Sequence, residues 1–270
     1  MSNAKPRAEL TPAEKRALLA QLLQKKASSA KSELPLSYGQ QSLWFLYKLA
    51  PQSWAYNVIF SARIRSQVDI PGLGRALQAL IERHPALRTT YTTRESRPVQ
   101  QINEQMQVDF ENTDASAWSQ NELNNHLVEE ARRPFNLEQG PVLRVNLFTQ
   151  SATEHILLLS VHHIAADFWS LTVLLDELRV LYHAQTGTQA PLPALDLQYT
   201  DYVRWQAEML ASAEGERLWA YWQSQLAGVL PMLNLPTNRP RPAVQTYQGA
   251  SYAFKLSQEL TQRLKVAGKG

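Results

Sequence analysis

Residues 156–170 constrain the chain most. Ile156-Leu157-Leu158-Leu159-Ser160-Val161 is a short apolar run, and His162-His163-Ile164-Ala165-Ala166-Asp167 follows it as a polar turn. Leu171, Leu174, Leu175 and Leu178 then recur at helical spacing. Strand, polar turn and helix in that order can hold an exposed reactive group rigidly. Side chains alternate along a strand, so His162 and His163 point to opposite faces. One can face a cavity; the other faces the core and needs a hydrogen-bond partner. Asp167 sits where it can cap the helix or pair with a basic side chain.

A lone histidine on an apolar strand is ordinarily a packed, satisfied one. Two adjacent histidines with an aspartate four residues later are less ordinary. Opposite-facing histidines do not chelate one ion and no other ligand cluster accompanies them, so no metal is expected. A catalytic triad is poorly supported, because there is no GxSxG elbow and no serine placed as a nucleophile. What remains is one histidine acting as a general base or hydrogen-bond organiser, without a covalent intermediate.

The rest of the chain reads as mixed α and β. Tyr56, Val58, Phe60, Ala62 and Ile64 alternate with Asn57, Ser61, Arg63 and Arg65, which predicts a half-buried strand over 56–65. Asp69 and Pro71 start a helix with Leu73, Leu77, Leu80 and Ile81 on one face. Further strands are expected near 87–93, 142–148 and 155–163, and helices near 118–132, 170–185 and 200–226. Pro231, Pro236, Pro240 and Pro242 mark residues 229–248 as a connector. A short strand at 250–256 and a helix from Gln258 follow. The sequence stops inside that helix, which predicts a second lobe cut short.

Composition removes several classes of function. The 270 residues contain no cysteine, so disulfides, a cysteine nucleophile and Cys-ligated metal centres are excluded. Ten glycines, none in a GxGxxG or P-loop pattern, speak against a nucleotide site. No apolar run is long enough to span a membrane and no leader-like segment opens the chain, so a cytoplasmic protein is expected. The net charge of +3 is unevenly placed: residues 1–30 hold six basic and two acidic side chains. The remaining body is nearly neutral, which argues against nucleic-acid binding. Thr11, Pro12 and Glu14 form a capping box before Leu18, Leu19, Leu22 and Leu23, predicting a short amphipathic helix over 12–26. It can dock on its own body or, through residues 10–26, on an upstream synthase.

At this point the sequence resembles a family. Residues 162–167 resemble the HHxxxD core motif of condensation domains from non-ribosomal peptide synthetases, within the chloramphenicol acetyltransferase-like superfamily. Ser37-Tyr38-Gly39-Gln40-Gln41-Ser42-Leu43-Trp44 resembles the family's SxxQxxLW motif, and Arg83-His84-Pro85-Ala86-Leu87-Arg88-Thr89 its RHxxLRT motif. Arg133-Pro134-Phe135-Asn136-Leu137 with Gly140-Pro141-Val142-Leu143-Arg144 resembles PFxLxxGPxLR, and Tyr199–Gln206 resembles YxDxxxWQ. Five ordered matches span residues 37–206.

The resemblance implies an α+β fold: one chloramphenicol acetyltransferase-like lobe, a mixed sheet flanked by helices, ending before a second lobe completes. The expected divisions are 1–33 for the basic helix and linker, 34–228 for the N-terminal lobe, and 229–270 for the connector and first elements of the second lobe. It implies amide formation between a carrier-bound acyl or peptidyl thioester and a carrier-bound aminoacyl amine. No cofactor is bound directly; the substrates ride on phosphopantetheine of donor and acceptor carrier proteins, beside adenylation and carrier domains. His163 is the expected catalytic residue, with His162 and Asp167 structural members of the same motif. Asp167 is expected to pair with Arg83 or Arg88. Ser170, Tyr199 and Trp205 are expected to support the site by packing. Ser37, Gln40, Gln41, Phe168 and Trp169 could line the tunnel between lobes, while helix-start and surface roles stay equally open for Ser37, Gln40 and Gln41. Phe168 stands where many members carry glycine, which speaks against an oxyanion role for that amide. An epimerisation-type domain of the same fold and a non-catalytic module that docks carrier proteins are the rival readings. The 270-residue chain alone is expected to be inactive.

Overall fold

The computed structural model describes residues 33–184, 192–240, 242–243, 249 and 252–268. The helix expected over 12–26 and its linker lie outside the described residues. In chain order the elements are β1 (Glu33–Pro35), α1 (Tyr38–Leu49), β2 (Asn57–Ile64) and α2 (Ile70–Arg83). A 3-10 turn (Pro85–Arg88), β3 (Thr89–Arg94), β4 (Arg97–Ile102), β5 (Asp109–Asp114) and α3 (Gln120–Arg132) come next. Then follow β6 (Leu143–Ser151), β7 (Glu154–His162), α4 (Phe168–Ala184), α5 (Tyr199–Leu210), α6 (Ala213–Gln225) and α7 (Gln258–Ala267). The chain divides into two compact units, residues 1–230 and 231–270.

The main sheet of the first unit has the order β2-β7-β6-β5. β7 pairs antiparallel with β2 and with β6, while β5 joins β6 in parallel. Parallel neighbours need a crossover, and α3 supplies it. One face of the sheet presents Leu143, Val145 and Leu147 of β6 with Leu157, Leu159 and Val161 of β7. They pack against Leu73, Leu77, Leu80 and Ile81 of α2 and Leu171, Leu174 and Leu178 of α4. The opposite face packs Phe148, Ile156 and Leu158 against Ala115 and Leu123, with Leu127 of α3 partly buried beside them. Covering on both faces is why β7 reads as an unbroken apolar run rather than an alternating one. α2 begins as expected, with the Asp69 carboxylate accepting from Gly72 N at 3.1 Å.

A second sheet, β1-β4-β3, is antiparallel throughout. β4 was not legible beforehand because it contains Pro98, which has no N–H to donate to a ladder. The register explains the tolerance. β1 pairs only with Val99–Gln101, so Pro98 lies past the end of β1 and, among the described residues, no third strand asks for its donor. β5 escaped notice for another reason: Asp109, Glu111, Asn112 and Asp114 make it polar, as an edge strand can be.

One further expectation is refined and another corrected. The helical stretch expected near 200–226 is made of two helices, α5 and α6, separated at Ala211–Ser212. α6 turns off so close to the end of α5 that a Cβ on Gly215 would sit 2.2 Å from the Leu210 carbonyl oxygen, so only glycine fits. The strand expected at 250–256 is absent among the described residues 252–256. A strand needs a paired neighbour, and none is described for this segment. In the second unit α7 begins at a Ser257 cap, its hydroxyl accepting from Leu260 N at 3.2 Å.

Candidate active site at the end of strand β7

β7 ends at His162 and α4 begins at Phe168, and the intervening turn holds the two histidines differently. His162 is buried, its N–H bonded to Val142 O at 3.0 Å. Its ring meets Phe135 edge-on at 6.0 Å and lies 6.5 Å from Tyr56. Nδ1 accepts from Ile164 N at 3.1 Å, so the ring proton is on Nε2. Burial, with His163 adding a smaller repulsion, pushes its pKa down to about 4, so the ring is neutral at pH 7. His163 is exposed on the other side. Its N–H bonds Tyr56 O at 2.9 Å, and its Nδ1 lies 3.1 Å from Ala166 O. A carbonyl oxygen only accepts, so Nδ1 carries the proton and Nε2 the free lone pair. The two side chains do lie on opposite faces.

Asp167 is paired with neither Arg83 nor Arg88, contrary to expectation. Its Oδ1 accepts from Ser170 N at 2.7 Å and from Ser170 Oγ at 2.6 Å, while Asp167 N donates back to Ser170 Oγ at 3.3 Å. These bonds, the Ser170 hydroxyl first and its amide second, hold the carboxyl below its usual range. Asp167 is therefore a helix cap, and Ser170 supports the site as the other half of that cap. Arg83 instead grips Glu177 through Nε at 3.0 Å and Nη2 at 3.2 Å, with His84 Nε2 at 2.5 Å from the same carboxylate. Glu177 lies ten residues along α4 from Asp167, about 15 Å at helical rise, so the end of α2 meets the middle of α4 rather than its start. Arg88 donates from Nη1 to Asn103 O.

Ser37 and Gln40, expected in the tunnel wall, are buried. They form the capping box of α1: Ser37 Oγ accepts from Gln40 N at 3.1 Å, and Gln40 Oε1 from Ser37 N at 3.1 Å. Gln40 Nε2 donates to Ile164 O at 3.2 Å. A polar residue at 37 or 40 was legible as a cap, but its reach to the histidine turn was not. Gln41 stays exposed, donating to Leu36 O at 3.1 Å. Phe168 and Trp169 are 69% and 77% exposed. Trp169 also borders a cavity of about 280 Å³, walled by Ala86, Leu87, Ala166, Leu174 and Tyr199.

Of the expected packing residues, Tyr199 joins the site through its hydroxyl, 2.8 Å from Ser37 Oγ. Trp205 is 56% exposed and packs on one side only, at the end of a ring series in which Tyr199 and Tyr202 are 5.5 Å apart and Tyr202 and Trp205 5.7 Å. Tyr91 and Gln100, buried beneath the turn, were missed altogether. Their only sequence signal is a polar group in a short strand. Among the described residues, no cluster of three or more histidine and carboxylate side chains could hold a metal.

Residues 30–269 match the family model described as "Condensation domain". A protein of the linear gramicidin synthase of Brevibacillus parabrevis is 39% identical over 241 residues, covering 87% of this chain and 3% of that protein. Phosphinothricin tripeptide synthetase PhsC of Streptomyces viridochromogenes is 38% identical over 237 residues, covering 86% of this chain and 22% of its own length. The chain thus spans a small part of the curated relatives it matches. Among solved structures, the X-domain in complex with OxyB from teicoplanin biosynthesis superposes with TM-score 0.69 at 30% identity, over 78% of this chain and 47% of that one. Holo-AB3403, a four-domain nonribosomal peptide synthetase bound to AMP and glycine, gives TM-score 0.74 at 22% identity, over 88% and 18%, a likeness of fold. The chain belongs to the condensation-domain family.

Proposed function

We propose that the condensation domain to which this chain belongs forms an amide between a carrier-borne acyl or peptidyl thioester and the amine of a carrier-borne aminoacyl group. The observation that carries the reading is the state of His163: Nδ1–H is tied to Ala166 O, and Nε2 presents its lone pair at an exposed position. An α-amine with pKa of about 7.7–8 is roughly a tenth neutral at pH 7, so it attacks without prior deprotonation by a strong base. The amine nitrogen adds to the thioester carbonyl carbon, leaving an ammonium and an oxyanion. Nε2 accepts the ammonium proton. The C–S bond then breaks, the thiolate leaves, and the proton returns to the sulfur. Holding the amine against the carbonyl supplies the rest of the rate. Asp167 and His162 hold the turn and do not take part in proton transfer.

Donor and acceptor carrier proteins with their phosphopantetheine arms, and neighbouring adenylation and carrier domains, are the partners this reading requires. The test is amide formation by the complete synthetase from two loaded carriers. His163→Ala should lower turnover by about 10²–10⁴-fold with folding intact. Undiminished turnover in that variant would refute the base role. Carrier binding with no turnover in either protein would favour a docking module.

A further inference from the structure

We infer that Gln40 and Tyr91 are positioning residues for His163, acting through the carbonyl of Ile164. The inference rests on the reading of His163 as the proton acceptor. Ile164 follows His163 directly, and both of its backbone polar groups are held by buried side chains. Its N–H donates to His162 Nδ1 at 3.1 Å; its carbonyl accepts from Gln40 Nε2 at 3.2 Å and from the Tyr91 hydroxyl at 3.5 Å. The grip therefore comes from three places in the fold: α1, β3 and the end of β7.

The Gln40 amide is committed on every side. Nε2 donates to Ile164 O and, at 3.4 Å, to Tyr91 Oη. Oε1 accepts from Ser37 N at 3.1 Å and from Gln100 Nε2 at 3.4 Å. Only one amide orientation satisfies these four partners, since Ser37 N can only donate and Ile164 O can only accept. Gln100 is in turn fixed by donating to Pro35 O at 2.8 Å. Tyr91 keeps its proton and so remains able to donate, because burial raises its pKa above the ordinary phenol range. A methionine or leucine would fill the Gln40 site without burying an amide, but would leave the Ser37 N–H and the Ile164 carbonyl without this partner. The glutamine, with the phenol beside it, fixes the peptide plane after Ile164, as His162 Nδ1 fixes the plane before it. The plane after Ile164 starts the turn that leads to Ala166, whose carbonyl selects the Nδ1–H form of His163. Neither Gln40 nor Tyr91 is exposed, so neither can touch a substrate.

The test reads the ring state of His163 and the reaction separately. Side-chain ¹⁵N NMR of the 270-residue chain should report His163 as the Nδ1–H tautomer. Gln40→Met and Tyr91→Phe should each shift His163 towards the Nε2–H form. In the complete synthetase the same variants should lower kcat by about ten- to a hundredfold, the range expected of a misplaced group, with KM for both carriers unchanged. Since both side chains act on one carbonyl, the double variant should lose little more than the worse single one. Leu123→Ala, in the core on the far side of the sheet, should destabilise the fold without altering the His163 tautomer. An unchanged tautomer in the folded variants would overturn the inference, as would an equal shift in Leu123→Ala. Should Gln40→Met fail to fold, Tyr91→Phe removes a single hydroxyl and carries the test alone. If His163→Ala keeps its turnover, the proton-acceptor reading fails, while the tautomer measurement still decides the positioning claim.

Discussion

His162 should make stability fall with acid in a way that one substitution isolates. Its ring is buried and accepts the Ile164 amide on Nδ1, and its pKa in the folded protein is about 4. In the unfolded chain a histidine titrates near 6.5. Between these values the unfolded state binds a proton that the folded state refuses, so stability rises with pH there. The contribution is therefore full above about pH 6.5, is lost as pH falls, and stops changing below about pH 4. At 1.36 kcal/mol per pKa unit the whole loss is about 3 kcal/mol, of which about 1.4 kcal/mol has gone by pH 5.5. His162→Asn keeps an acceptor near the Nδ1 position and cannot titrate. Guanidinium unfolding of both proteins at pH 7.5, 6.5, 5.5 and 5.0 cancels every other titrating group. The advantage of the native protein over the variant should shrink steadily through that series, its slope approaching about 1.4 kcal/mol per pH unit, the value for one proton. A difference that stays flat from pH 7.5 to 5.0 would show that the buried ring admits a proton, and would refute the tautomer derived for it.

Other outcomes follow from the same contacts. Asp167→Ala removes a helix cap and should cost about 1 kcal/mol in thermal denaturation, whereas Asp167→Asn should cost less; a loss of 3 kcal/mol or more would restore the case for a hidden ion pair. Glu177→Ala strands Arg83 and His84 on the α2–α4 contact and should cost about 2–4 kcal/mol by chemical denaturation, with Glu177→Gln milder. Leu147→Ala empties a fully buried site between the sheet and its helices and should cost about 2–5 kcal/mol in the same assay. The 270-residue chain, offered two loaded carriers, should form no detectable amide; product by mass spectrometry would contradict the need for a second lobe.

Much of the fold was legible because its central elements are periodic. Leu73, Leu77, Leu80 and Ile81 mark the buried face of α2, and the alternation from Val58 to Ile64 places β2 within a residue of its observed ends. Elements without such periodicity were not legible: β5 is polar at an edge, and β4 tolerates Pro98 only because β1 stops short of it. At the site, the opposite facing of His162 and His163 follows from strand geometry alone. The partner of Asp167 does not, because which carboxylate an arginine meets depends on how far two helices slide past each other. Arg83 reaches Glu177 by that offset, and no local pattern records it. Likewise Ser37 and Gln40 are readable as a helix start, but a contact from residue 40 to residue 164 exists only once both sheets are formed.

The register of β2 against β7, from Asn57↔His162 to Ile64↔His155, has a consequence for synthesis. β2 is made early, yet the neighbour that completes it lies about a hundred residues downstream. At roughly 5–20 residues per second, a ribosome takes about 5–20 s to deliver that neighbour. Throughout that interval Val58, Ile59 and Phe60 wait as an unpaired strand, the type of segment that joins other chains. His163 cannot bond Tyr56 until the wait is over, so the histidine turn takes shape late on the ribosome. Expression at lower temperature, or with a holdase in excess, should therefore raise the yield of chain in which that turn is correctly closed.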